Sequence, residues 1–133
     1  MYSIEVCNLD TLPSLLPLYT KMYKLMGHKD IDVIVQFAAD IQSPGFEALR
    51  LLHNDNLVGF IAGKNSAVHG EYNVTGVYTE FKHRHKAVEL AVEMERRLLA
   101  FGYTSWVSQA NTSLGASFMI KMQAQPYAFR KEL

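Results

Sequence analysis

The sequence holds one cysteine, Cys7, and no surplus of charge: 13 Lys and Arg balance 13 Asp and Glu across 133 residues. A lone cysteine excludes an internal disulfide framework and a cysteine-rich zinc site. Zero net charge leaves no global field to draw in nucleic acid or an anionic membrane, so any electrostatic function has to be local. No apolar run approaches the roughly 18 residues of a membrane span. The basic-then-apolar pattern of an export signal is missing too, so a cytoplasmic location is expected. Repeats, low-complexity tracts and linkers are absent. What remains is 49% hydrophobic and 20% charged residues, enough for one domain over residues 1–133 with a core of its own.

Local patterns give an element order. Ile4 and Val6 alternate with Ser3, Glu5 and Cys7, which predicts a strand over 2–8 with Cys7 as a small core residue. Leu15, Leu18, Tyr19, Met22 and Met26 recur at helical spacing behind a cap at Asp10 or Ser14. Pro17 falls in the first turn, and Gly27 stops the helix. A second helix carries Ile34, Phe37, Ala38 and Ile41 on one face and ends at Ser43-Pro44-Gly45. Residues 46–53 and 57–64 flank Asn54-Asp55-Asn56 as a hairpin, and 71–79 reads as a further strand. Ala87, Leu90, Ala91, Met94, Leu98 and Phe101 then mark one face of a long helix, with a Glu93–Arg97 pair outside and Gly102 beyond its end. A strand over 103–110, a helix capped by Asn111-Thr112-Ser113 and a short extended tail over 126–133 complete the chain. The expected class is α/β (α+β): a mixed, mostly antiparallel central sheet flanked by about four helices.

The stretch Lys82-His83-Arg84-His85-Lys86 opens that long helix. A helix N-terminus carries about half a positive charge, so each exposed cation there costs roughly 0.3–1 kcal/mol. A bound polyanion resolves the conflict, because amides and cations then face the same phosphate. A solvated charged turn is the plainer reading. Nucleic acid is disfavoured, since one short basic cluster on a neutral chain binds weakly. His83 and His85 lack a third ligand nearby in sequence, and His28, His53 and His69 are scattered, so no metal is expected.

Strand, basic turn, long helix, glycine, strand, asparagine, helix: this order resembles the GCN5-related N-acetyltransferase (GNAT) superfamily over nearly the whole chain. In that family an Arg/Gln-x-x-Gly-x-Gly/Ala turn holds the CoA pyrophosphate. Here Lys82 stands at the Arg/Gln position and Ala87 at the final small one, while His85 replaces the first glycine. Ala100-Phe101-Gly102 fits the family's helix end. Asn111 and Phe118 resemble its Asn…Tyr motif without the tyrosine hydroxyl, and the closing Gly-Phe is absent. The small size and the Asn-Thr-Ser helix start resemble phage-encoded members.

The resemblance implies acetyl-CoA as cosubstrate, no metal, and an amine acceptor that is a small molecule or a protein lysine; it also allows a homodimer. It assigns CoA binding to Val77, Tyr78, Lys82, His83, Arg84, His85, Lys86, Ala87, Asn111 and Phe118. The base comes from the strand before the turn, which Glu71 and Glu80 bracket, with Tyr78 near its end. Phe118 has no proton to give, so Tyr127 stands in as acid beside Glu80 and Tyr78. Tyr72, Tyr78 and Trp106 either line an acceptor groove or pack the sheet. The leading reading is an N-acetyltransferase. Its rivals are a degenerate protein of the same fold that acts by binding a protein partner, and a structural protein that uses no CoA.

Overall fold

The central hairpin of the sequence is also the middle of the sheet. The computed structural model describes residues 1–27, 32–108, 122 and 130–133. Strands β1 (Tyr2–Val6), β2 (Glu47–His53), β3 (Asn56–Asn65), β4 (Glu71–Thr79), β5 (Ser105–Val107) and β6 (Arg130–Glu132) lie side by side in chain order. Every neighbouring pair is antiparallel except β4 and β5, which run parallel. A parallel pair needs a crossover, and helix α3 (Ala87–Ala100) supplies it. Helices α1 (Leu16–Leu25) and α2 (Val33–Ile41) cover the other face. The resulting sheet is mixed and mostly antiparallel, as the element order implied; the helix anticipated after Asn111 lies outside the described residues. No helix among the described residues is long and apolar enough to cross a membrane.

Local chemistry sets the boundaries. Asn54 (φ 50) and Asp55 (φ 67) occupy left-handed backbone, which asparagine and aspartate tolerate, and they form a two-residue hairpin turn. Asn56 already pairs with His53, so the turn is one residue shorter than its sequence suggests. The chain enters α1 through a 3-10 turn, Leu12–Leu15, and neither Asp10 nor Ser14 caps it. Asn8 organises this entry instead, its side-chain oxygen accepting from the amides of Asp10 (2.9 Å) and Thr11 (3.0 Å). Asp32 caps α2 by accepting from the amides of Ile34 and Val35.

Two apolar layers sandwich the sheet. Leu90, Ala91, Met94 and Leu98 of α3 meet Leu49, Leu51, Val58, Ile61, Tyr72, Val74 and Trp106. On the opposite face Leu15, Leu18, Tyr19, Met22 and Phe37 meet Ala48, Phe60 and Ala62. Burying one such leucine contributes roughly 1.5–3 kcal/mol. Two expected core residues lie outside these layers. Ile34 sits exposed in the first turn of α2, and Phe101 is exposed at the end of α3, with the Arg97 guanidinium 5.3 Å from its ring centre. The anticipated Glu93–Arg97 pair is also replaced. Glu93 pairs with Arg96, while Arg97 reaches across to Glu47 on β2 (3.2 Å), a partner less exposed to solvent.

A β-bulge decides the shape of β4. Gly63 faces Val74 and Ala62 faces Gly76, which leaves Thr75 as an extra residue whose hydroxyl donates to the Ala62 carbonyl (3.2 Å). The side-chain alternation therefore reverses: Val74 and Val77 both face α3, whereas Gly76 and Tyr78 face α1. An added Cβ on Gly76 would come within 2.5 Å of Met22 Sδ, so α1 seats directly on the bulged strand. Ahead of the bulge β4 pairs with β5: among the described residues Glu71–Asn73 meet Ser105–Val107, and positions 109–110 of the strand expected over 103–110 lie outside the described residues. Ser108 donates its hydroxyl to the Val74 carbonyl (2.8 Å).

Candidate functional site

The end of β4 leads straight into the basic turn. Glu80 anchors the junction, its amide donating to the Val58 carbonyl (2.8 Å) from extended backbone. Phe81–Lys86 then forms a 3-10 turn that runs into α3 without a break. The amides of His83 and Ala87 are used inside this turn, donating to the carbonyls of Glu80 and Arg84. Among the described non-glycine residues only Asn54 and Asp55 have positive φ, so His85 sits in ordinary right-handed backbone. A helical turn needs no glycine. The histidine at the glycine position is therefore accommodated without backbone strain.

The side chains of the turn separate. Lys82 is exposed and has no hydrogen-bond or ion-pair partner among the described residues. Arg84 folds back with its guanidinium 4.0 Å from the Phe81 ring centre and donates to the Phe81 carbonyl (2.9 Å). Lys86 pairs with Glu89 (3.1 Å) and stands 4.7 Å from the Tyr2 ring centre. His85 is exposed, its ring edge-on to Tyr2 at 5.7 Å. His83 is different. It is buried, with Nδ1 2.6 Å from the Tyr2 hydroxyl and its ring 4.8 Å from that of His53. Its imidazole faces the protein, so the outer surface of the turn is carried by Lys82, Arg84, His85 and the flank of Lys86. Loss of solvent around the ring, and then the electrostatic effect of the neighbouring terminal amine, His83 and Lys82, holds His53 below its usual pKa.

Glu80 and Tyr78 lie on the α1 side of the strand. Glu80 forms an ion pair with Lys21 of α1 (3.6 Å). Tyr78 is partly buried beside Phe60, and burial pushes its hydroxyl above the ordinary value, with Lys21 opposing and Glu80 adding to the rise. Val77 faces the other way. With Ile61, Val74, Ala91, Met94, Glu95 and Trp106 it lines a small cavity of about 10 Å³ between the sheet and α3, space for roughly one water molecule. Glu95 is fixed in that wall by the Trp106 indole N–H (2.8 Å) and Lys131 (2.8 Å).

Other candidates are placed elsewhere. Glu71 is buried at the far end of β4 and accepts from the Ser66 hydroxyl (2.8 Å). Tyr72 donates to the Gly45 carbonyl (2.9 Å) from the α3 layer, where Trp106 is also buried, while Tyr78 lies on the opposite face. These three aromatics pack the sheet and do not share a groove. Asn111, Phe118 and Tyr127 lie outside the described residues. No group of three or more His, Cys, Asp or Glu among the described residues is placed to hold a metal ion. Tyr2, His53 and Lys21 were not evident as site residues. Tyr2 pairs with His53 across β1 and β2, a register that local pattern does not reveal.

No protein-family model and no curated protein matches the sequence. Solved structures do. The PaiA N-acetyltransferase from Thermoplasma acidophilum, solved in complex with coenzyme A, superposes with a TM-score of 0.68 at 17% identity, covering 98% of this chain and 99% of that one. An acetyltransferase of the GNAT family from Staphylococcus aureus Mu50 gives 0.79 at 12% identity, covering 100% and 99%. The ribosomal-protein-alanine N-acetyltransferase from Brucella melitensis biovar Abortus 2308 gives 0.73 at 17%, covering 96% and 95%. The fold is that of the GNAT superfamily. Identities this low establish the fold alone.

Proposed function

We propose that this chain is an N-acetyltransferase that moves the acetyl group of acetyl-CoA to an amine. The observation that carries the reading is that β4, paired with β5 over Glu71–Asn73 among the described residues, runs on to Thr79 directly ahead of a turn rich in cations. On this reading the β4 edge beyond Asn73 offers backbone groups to the amide-bearing pantetheine arm. The turn that follows offers Lys82, Arg84, His85 and Lys86 to the phosphates. Amides of this 3-10 turn, those of His83 and Ala87 among them, are used internally, so side chains carry more of this contact than backbone does. Val77 and Ala87 belong to the same stretch and are assigned to the cofactor side, as are His83 through its place in the turn, and Asn111 and Phe118 on the resemblance alone.

In the reaction the acceptor nitrogen attacks the thioester carbonyl carbon and forms the new C–N bond. The C–S bond then breaks, and the sulfur leaves as the CoA thiolate. The amine loses one proton and the thiolate gains one. Glu80, kept beside Lys21, is assigned to receive the first. Burial keeps the Tyr78 hydroxyl protonated throughout the neutral range, which suits it to supply the second; Tyr127 is the alternative donor. The acceptor class is a small amine or a protein lysine, and association into a homodimer and a cytoplasmic, phage-encoded origin belong to the same proposal.

One observation favours a second reading, a protein of this fold that binds a partner without turnover. The amides of His83 and Ala87 are already bonded within the turn. One experiment separates the two. At ~1,000 times its dissociation constant, acetyl-CoA should stabilise the protein by about 4 kcal/mol and raise its melting temperature. The paired charge reversal Lys82→Glu/Arg84→Glu should abolish the shift. Thiol release in the presence of an amine panel then reports turnover. No thermal shift refutes the CoA reading; a shift without thiol release supports the second.

A further inference from the structure

We infer that Tyr2 is the positioning residue of the cationic turn, anchoring it through the buried His83 and so fixing where the His85 ring and Lys86 stand for anion binding. The inference rests on the CoA reading for its ligand, but its geometry is independent of it. Tyr2 belongs to β1, far in sequence from the turn, yet its one side chain touches three of the turn's residues. Its hydroxyl is 2.6 Å from His83 Nδ1. Its ring meets that of His83 edge-on at 5.5 Å and that of His85 edge-on at 5.7 Å. Lys86 Nζ stands 4.7 Å from the ring centre. His53, its partner across the β1–β2 ladder, closes the remaining side at 4.5 Å.

A fixed support is needed here. A 3-10 turn has poorer hydrogen-bond geometry than an α-helix and seldom persists over 6 residues unaided. With histidine at the glycine position, anion contact depends on side chains, and side chains have rotamers to lose. Tyr2 removes that freedom for His83 through the hydroxyl–imidazole bond and restrains Lys86 through the ring face. Phenylalanine or leucine would fill the same space against the core. What the hydroxyl adds is a bond to the turn.

The test uses inorganic pyrophosphate, acetyl-CoA and S-acetylpantetheine, which carries the thioester without phosphates, titrated into the wild type, Tyr2→Phe and Tyr2→Leu. Tyr2→Phe should weaken pyrophosphate and acetyl-CoA about fivefold, the equivalent of one ordinary hydrogen bond. Tyr2→Leu should weaken both about tenfold or more, because the cation–ring contact goes too. S-acetylpantetheine affinity should stay unchanged in each variant, and the His83 imidazole nitrogen resonance should move in Tyr2→Phe. Equal loss of all three ligands would show that Tyr2 merely holds the fold, and would overturn the inference. So would unchanged pyrophosphate affinity, or a wild type that binds no pyrophosphate. A wild type that binds pyrophosphate but neither thioester refutes the CoA reading alone, and the pyrophosphate series still decides the role of Tyr2. If Tyr2→Leu does not fold, the ring-preserving Tyr2→Phe decides it by affinity and resonance together.

Discussion

Replacing Asp40 with alanine should destabilise the protein by about 2–3 kcal/mol. Asp40 is buried on α2, beside the sheet layer that carries Phe60 and Ala62. Its carboxylate accepts from Gln36 Nε2 (3.0 Å) and Lys64 Nζ of β3 (3.3 Å), with the Tyr19 hydroxyl at 3.5 Å. Burial, and then the Asp40 charge, pushes the Tyr19 hydroxyl well above its ordinary pKa. The donors differ in what truncation does to them. The Lys64 side chain is 30% exposed and Gln36 partly so, and both can return to water; the ion pair itself therefore counts for little. Tyr19 is 1% exposed and, among the described residues, has the Thr75 hydroxyl as a substitute. The loss of buried hydrogen bonds and the cavity left on α2 account for the figure, which corresponds to a melting temperature lower by about 9 °C in a domain of this size. Asp40→Asn keeps an acceptor for Gln36 and Tyr19 and should cost only about 1 kcal/mol. Urea and thermal denaturation at neutral pH, at low and high salt, read both variants. A loss below about 1 kcal/mol for Asp40→Ala, or equal losses for alanine and asparagine, would refute the idea that this polar group seats α2 on the sheet.

Two further outcomes follow from the same core. The pKa values of Tyr19, Tyr72 and Cys7 are all raised in the folded state, chiefly by burial. Their contribution to stability is complete below their ordinary values and is lost as pH climbs through the raised ones. Urea midpoints should therefore hold steady through neutral pH and fall above about pH 9, with the last rise in tyrosinate absorbance coinciding with loss of secondary structure; full tyrosine ionisation in a still-folded protein would contradict this. Gly76→Val should cost about 1–3 kcal/mol, because the added carbons collide with Met22 where α1 meets the bulge. A variant as stable as the parent would show that α1 is not seated on β4.

What was legible in the sequence was local. The hairpin, the limits of β4 and the buried stripe Leu90, Ala91, Met94 and Leu98 all follow from periodicity and turn chemistry. The bulge at Thr75 was not, because it depends on how β3 and β4 register; Val74 and Val77 share a face only in its presence. The strand read over 103–110 starts later, at Ser105, because Tyr103 and Thr104 bond the carbonyls of Leu98 and Gly70 in the turn after α3. Asp40 did carry a signal, a carboxylate one turn on from Phe37 on the apolar face of α2. Such a residue is buried only with partners, and besides Gln36 one turn back they are long-range: Lys64 and Tyr19.

The charges of the candidate site were readable, but their arrangement was not. Cations at a helix start imply an unmet conflict with the helix dipole, yet the fold answers much of it internally. Lys86 has Glu89 and the Tyr2 ring, and Arg84 has the Phe81 ring and carbonyl. An incoming phosphate must therefore displace existing contacts, and its affinity is the difference between two sets of interactions. That alters the comparison with a glycine turn. A glycine nest presents amides that are fixed and partly shielded, whereas residues 82–86 present mobile charges at an exposed surface. Salt screens exposed charges most strongly. On the proposed CoA reading, histidine at the glycine position thus shifts anion recognition from backbone to side chain, and the support inferred for Tyr2 becomes part of the site.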